Sequence, residues 1–477
     1  MTKKDTSKKH AHKDTATIKI AEPIPVDRRS RADRKAEGKA IRLAVPLASH
    51  AQWQAPVHRR DPIDQLVESG AGRVAELLPI RYGRMLQSPF AFYRGGAAIM
   101  AADLAGLPST GIRVQACGDC HLLNFGAFGT PERRLIFAIN DFDETLPAPW
   151  EWDIKRLAAS FVVAGRHNGF SAGEARDSAQ ACVRSYRERM REFAKMRALD
   201  LWYFSIDAEA LIETIEDEAA RARGKKRLAK ARDRDVLDED FPELVTFEDG
   251  AHRIRDNPPL IYHLQGGEES VIEARVREAF EGYRATLPED RRVLLDRYEL
   301  KDFAMKVVGV GSVGTRCAIT LLMGGADDPL FLQVKQAQAS VLEPYAGKSI
   351  YSNHGQRVAM GQRLMQSATD IFLGWTETDI GNHFYIRQMR DMKIKPLVEL
   401  FGPALMNHYA EACGWALARA HARSGDAAKI AGYLGKKEEF DVALADFAEA
   451  YADQNELDHQ VLLHAVQQGR LEVYIER

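Results

Sequence analysis

The sequence predicts an α+β protein of two lobes, one large and helical, one small and β-rich, and three observations predict it. After about Leu300 the stretch KDFAMKVVGVGSVGTRCAITLLMGGADDPLFLQVKQA holds three β-type runs punctuated by glycines. Apolar residues with helical period flank that block on both sides, as in WDIKRLAASFVVAG before it and ALMNHYAEACGWALARAHARSG after it. The composition, 45% hydrophobic and 28% charged over 477 residues, is that of an ordinary globular chain with a sizeable core.

Taken in order, residues 1–60 read as a basic, mobile tail. They begin MTKKDTSKKHAHKDT and continue through VDRRSRADRKAEGKAIR, with few large apolar residues to offset the entropy of ordering. Residues 61–294 read as the first part of the helical lobe. Here RVAELLPIRYGRMLQSPFAFYRGGAAIMAADLA suggests two helices around a turn marked by Pro and Gly, and IRVQACGD a short strand running into a loop. RRLIFAINDFDET is a second strand whose apolar run ends at Asp141, and helices follow over 150–200. The charges crowded in IEDEAARARGKKRLAKARDRD make a solvated helix face. Residues 295–397 form the β-rich lobe, with FYIRQMRDMK as a further strand-like run. Residues 398–477 complete the helical lobe, where YADQNELDH sets Asp453, Asp458 and His459 on a solvated helix surface. No fixed-period repeat is visible.

A net charge of -2 argues against a whole-protein field aimed at nucleic acid or anionic membrane, so any charged site is local. No run of about 18 apolar residues exists to span a bilayer. Five cysteines without a secretory signal predict a reducing cytoplasm rather than a disulfide framework.

Two constellations carry chemistry. CGDCHLLN supplies Asp119, His121 and Asn124, and NDFDET supplies Asp141 and Asp143 at the end of a buried strand, where carboxylates are costly without partners. An Asp, an Asn and an Asp form a mixed oxygen site suited to a hard cation, magnesium or manganese rather than zinc. Cys117 and Cys120 make a CxxC with no second pair at zinc spacing, Glu144 reads as a helix-start residue, and His121 alone is most often a structural histidine. In the second constellation, Gly309, Gly311 and Gly314, with Ser312 among them, have GxGxxG spacing. A β-type run follows instead of a helix, which favours a hairpin covering phosphates over a dinucleotide-binding turn. Two strands on, Lys335 ends the run LFLQVKQA, with Glu343 a possible ion-pair partner.

GDCHLLNFG followed by FAINDFDE resembles the catalytic loop and metal motif of aminoglycoside phosphotransferases and other kinase-like phosphotransferases, which read HGDxHxxN and then IDFxxA. The resemblance implies Asp119 as catalytic aspartate, His121 as the second histidine of the loop, and Asn124 and Asp141 as metal ligands, with Asp143 beside them. Cys117 stands where that motif has its first histidine. LFLQVKQA resembles the kinase strand whose lysine meets the α- and β-phosphates, and Gln388 and Met389 resemble the linker whose backbone meets adenine. GWALARAHARSG resembles the helix that leads into the catalytic loop, yet here the loop comes first and the glycines and Lys335 come almost two hundred residues later. These features together imply a circularly permuted, protein-kinase-like fold. Through SPFAFYRGG, GDCHLLNFG, NDFDET and FLQVKQA the chain also resembles the uncharacterised bacterial family "domain of unknown function 2252". The expected activity is an ATP- and magnesium-dependent phosphotransferase acting on a hydroxyl or amine of an open acceptor. AMP transfer to a protein on the same fold, and nucleotide binding without catalysis, are the alternatives.

Overall fold

The computed structural model describes residues 20–233, 241–248, 250–263, 269–307, 309, 311, 313–325, 328–389 and 392–476. The protein has an α+β fold. Its helical part is built around α5 (Trp150–His167), α6 (Ala172–Phe193), α8 (Pro403–Ser424) and α10 (Glu439–Gln467), with α9 (Ala427–Leu434) beside them. Residues 73–105 form three short helices ahead of this group, α2 (Leu78–Leu86), α3 (Pro89–Gly95) and α4 (Ala97–Ala105), one more than the sequence predicts there. Helix α5 begins with Glu151 and Asp153 and ends with Arg166 and His167, each sign at the end its dipole favours. A capping box of Ser171 and Glu174 starts α6. Between these helices lies the main core, from Leu157 and Phe161 to Tyr186, Leu417 and Phe447.

The strands fall in separate sheets. β1 (Arg113–Ala116) pairs with β4 (Leu146–Pro149), and β2 (Phe125–Gly129) pairs with β3 (Leu135–Ile139). β5 (Ile206–Asp207) and β12 (Lys393–Ile394) extend the second pair at its two edges. The larger sheet has six antiparallel strands: β6 (Ile261–Tyr262), β7 (Tyr298–Lys306), β8 (Cys317–Gly324), β9 (Pro329–Ala337), β10 (Gly374–Glu377) and β11 (His383–Gln388), in the order β10-β11-β9-β8-β7-β6. Both of its faces are covered, because alternate residues of β8 go to opposite sides. Ile319 and Leu321 join Leu244 and Ile254, whereas Leu322 joins Tyr283 and Leu287. The glycine-rich segment is the turn between β7 and β8, an antiparallel hairpin as expected. Helix α7 (His354–Met365) packs on β10 and β11.

Two expectations fail here. Beyond residue 20 the first 60 residues are not a loose tail: α1 (Arg31–Ile41) packs along α9. Close approach carries that contact, since a Cβ on Gly38 would lie 1.9 Å from the carbonyl oxygen of Lys429, and Arg42 caps the end of α9 through the carbonyls of Gly432 and Tyr433. Residues 1–19 lie outside the described residues. Asp458 and His459 are buried, not solvated. Asp458 is held by Arg59 at 2.7 Å and His459 meets the carbonyl of Leu86 at 3.0 Å, while Asp453 stays exposed beside Arg166.

Candidate functional site

β1 delivers the chain into the loop Cys117–Asn124, and α5 holds that loop from beneath. The buried carboxylate of Asp153, in the first turn of α5, accepts from the backbone N–H of Cys117 at 2.7 Å and of Gly118 at 3.0 Å. His421 of α8 meets the same carboxylate at 3.1 Å, and Tyr186 meets the other ring nitrogen of His421 at 2.9 Å. Farther along, Leu122 N–H donates to Ser160 Oγ, and its carbonyl accepts from Tyr409. Gly118 takes a φ of +82°, and a Cβ there would lie 2.4 Å from the carbonyl oxygen of Glu144, so only glycine fits.

On this braced loop Arg156 donates twice to Asp119 Oδ1, from Nε at 2.8 Å and from Nη2 at 2.5 Å. Asp119 Oδ2 is 3.9 Å from His121 Nε2. Burial holds His121 down to about 4, so near neutral pH it is an uncharged imidazole and not an ion-pair partner. Asn124 donates from Nδ2 to the carbonyl of Asp119 at 2.7 Å, and its own carbonyl accepts from Asn140 N–H at 2.8 Å. That bond ties the two sequence motifs together.

Lys335 reaches this site from the large sheet. Its Nζ lies 2.7 Å from Asp143 Oδ2 across 192 residues of sequence. Tyr385, the register partner of Lys335 on β11, donates to Asp143 Oδ1 at 2.5 Å. Both oxygens of Asp143 are therefore engaged within the protein, which makes it the partner of Lys335 rather than a free metal ligand. Glu343 is elsewhere, 3.9 Å from His354. Burial pushes Asp143 up, but the charge and hydrogen bond of Lys335 and the hydroxyl of Tyr385 outweigh it, so its carboxyl ends below the ordinary value. Asp141 is pushed the other way, by burial and by the charge of Asp143. Arg357, which the sequence did not single out, ties the sheet to the loop by donating to the carbonyls of Asp143, Thr145 and Gln338. Glu144 starts no helix; its carboxylate accepts from Val341 N–H at 2.7 Å, and burial raises it to about 7.

Two cavities meet at Asn124 and Asp141. The first, about 1060 Å³, is also lined by Lys335, Gly309, Gln388 and Met389. The second, about 680 Å³, holds Asp119, His121, Asp143 and Gly311 and is bordered by Arg73, Arg81 and Arg94. The glycine turn is docked by its carbonyls: Arg84 takes that of Gly309, Arg73 those of Gly311 and Val313, and Val74 N–H that of Gly314. Gly314 lines neither cavity, and Ser312 lies outside the described residues. The backbone N–H groups of Gln388 and Met389 already donate to Asp370 and to the carbonyl of Phe331, which removes the two amides expected to meet a base.

The donor set at the shared edge fits a hard cation. Committing Nδ2 of Asn124 to Asp119 leaves the Oδ1 of that amide as an acceptor, and the carboxylate of Asp141 is raised by a like charge that a cation would offset. The cluster of Cys117, Cys120 and Asp153 fits a metal poorly. Burial pushes both thiols up, Cys120 to about 12, so they keep their protons, and both oxygens of Asp153 already bind backbone amides.

The model of a family described as an uncharacterized protein conserved in bacteria (DUF2252) matches residues 73–465. No curated protein and no solved structure matches the chain.

Proposed function

The chain belongs to this bacterial DUF2252 family, and from the geometry of its site we propose that it is an ATP- and magnesium-dependent phosphotransferase with a circularly permuted, kinase-like arrangement. The observation that carries the proposal is the ion pair of Lys335 with Asp143, which joins the glycine-hairpin sheet to the Asp119 loop beside a cavity large enough for a nucleotide. The permuted order is supported by the end of α8, where Ser424 Oγ accepts from Gln115 N–H at 3.2 Å, directly ahead of the loop.

ATP would occupy the larger cavity, with its phosphates toward Lys335 and the glycine hairpin. Asn124 and Asp141 would hold magnesium, which supplies charge neutralisation on the phosphates when bound. Asp119 Oδ2, the oxygen Arg156 leaves free, takes the proton of the acceptor hydroxyl. The acceptor oxygen then bonds to the γ-phosphorus as the bond from that phosphorus to the β,γ-bridging oxygen breaks, and ADP leaves with the electron pair. Arg156 keeps Asp119 oriented toward the second cavity, and His121, uncharged, leaves the carboxylate as the base.

The test is calorimetric titration of ATP with magnesium into the full chain, beside Asp141→Asn and Lys335→Ala, followed by label transfer from γ- and α-labelled ATP. Magnesium-dependent binding weakened by both changes, with transfer of the γ label, is expected. Transfer of the α label would assign AMP transfer instead, and a chain that binds no nucleotide would end the proposal.

A further inference from the structure

The motif SPFAFYRGG has no part in the chemistry above, and its arginine opens the second cavity to interpretation. The side chain of Arg94, at the end of α3, donates no hydrogen bond to any described residue and enters no ion pair with one; its guanidinium lies over Phe90 with Nε buried and unsatisfied. Arg81 of α2 is 2% exposed and meets only neutral groups: the carbonyls of Leu66 and Gly95 at 3.3 Å and Ser69 Oγ at 3.2 Å. Arg73 is likewise spent on carbonyls. Among the described residues, three guanidinium groups thus border one cavity without a carboxylate hydrogen-bonded to any of them. Of the acids that line the cavity, Asp119 is bound to Arg156, Asp143 to Lys335, Glu68 to Arg60 and Glu144 to the amide of Val341; Glu144 acts on Arg73 and Arg81, and Glu399 on Arg94, only through space, without a hydrogen bond.

Burying a charge without a counter-ion is costly. The cost is visible in the direction of the shifts: burial pushes Arg73, Arg81 and Arg94 down, Arg81 to about 9 with Arg73 adding to it. A guanidinium keeps its proton throughout the physiological range, so the arrangement asks for an anion rather than for titration. The first turn of α4 adds to this, since Ala97 and Ala98 line the same cavity and Gly96 caps that helix without a side chain.

We infer that the second cavity seats the acceptor, and that the acceptor is a small hydroxyl compound carrying a phosphomonoester, whose phosphate is bound by Arg81 and Arg94 while its hydroxyl faces Asp119. A dianion with three outer oxygens matches several guanidinium groups better than one carboxylate does. The substrate class rests on the phosphotransferase reading; the anion site does not.

The experiment titrates inorganic phosphate into the full chain, free and saturated with a non-hydrolysable ATP analogue and magnesium, for the wild type, Arg94→Gln and, as a surface-arginine control away from both cavities, Arg197→Gln, each checked by thermal melting. Phosphate should bind with and without the nucleotide, about tenfold or more weakly in Arg94→Gln, and unchanged in Arg197→Gln. Displacement of phosphate by the nucleotide, or equal binding in a folded Arg94→Gln, overturns the inference, as does the absence of phosphate binding to the nucleotide-loaded chain. If phosphate binds through Arg94 while no nucleotide binds at all, the anion site stands and the phosphotransferase reading falls.

Discussion

The loop bearing Asp119 and the turn bearing the glycines face the same cavities but are held in opposite ways. Cys117–Asn124 is fixed by buried side chains from two helices: Asp153 and Ser160 of α5, and Tyr409 and, through Asp153, His421 of α8. The glycine turn is held through its own carbonyls by Arg84 of α2, by Arg73 just ahead of that helix and by Val74 N–H. A carboxylate that must meet one proton needs the first kind of support, because a small displacement is expensive in rate. The second kind leaves the side chains of the turn free of that task.

The contrast sharpens or breaks under substitution. Asp119→Asn should lower transfer on the order of a thousandfold with nucleotide affinity retained; turnover and calorimetry on one preparation would read both, and near-normal turnover would remove Asp119 from the chemistry. Asp153→Ala leaves two buried amides and His421 without their acceptor and should cost about 3 kcal/mol, seen as a lower urea midpoint. An unchanged midpoint would mean that the loop does not depend on its brace.

Glu144 lies where the two regions meet, and its titration gives a third test. Its folded value is raised to about 7 from 4.5, so between those limits the folded state holds a proton that the unfolded state has released. Stability conferred by this group is full below about 4.5 and falls as pH rises toward 7. Denaturation midpoints at pH 5 and 7 should show that decline, and Glu144→Gln should flatten it; an equal slope in the variant would exclude Glu144 as its source. Lys335→Ala should weaken nucleotide binding by about tenfold without moving the Asp119 loop, which hydrogen exchange at Leu122 would report. Smallest is Gly314→Ala: at a φ of +88° the new side chain costs about 1–2 kcal/mol of local strain. Faster exchange confined to residues 313–316, with global melting nearly unchanged, is expected, and a global loss would show that the turn is part of the core.

The two regions also differ in how far the sequence discloses them. The hairpin, Lys335 at the end of its strand and the strand stopping before Asp141 are all local patterns of period and punctuation, and they stand in the structure. The brace is not local. Asp153 and His421 are 268 residues apart, and nothing in WEWDIKR says that its aspartate turns inward to a backbone loop instead of outward to water. Asp143 had the same ambiguity: a second carboxylate beside a metal motif reads as a further ligand until a lysine from a distant strand is seen to occupy it. Arg81 and Arg94 were hidden for the converse reason, since arginine on a short helix is ordinarily solvated. Helix α1 escaped because its contact depends on glycine's lack of a side chain, which adds nothing to apolar composition.

The hydrogen bond between Asp153 and His421 also sets a schedule for synthesis. A ribosome that has finished Asp119 and Asp153 must add 268 more residues before the histidine that completes the brace exists, roughly 15–50 s at ordinary elongation rates. Until Lys335 is made, the nascent chain carries Asp143 without the lysine that pairs with it, whereas Arg156 is already present for Asp119. The loop that carries Asp119 therefore lacks its full support until His421 has been made, late in the synthesis of the chain.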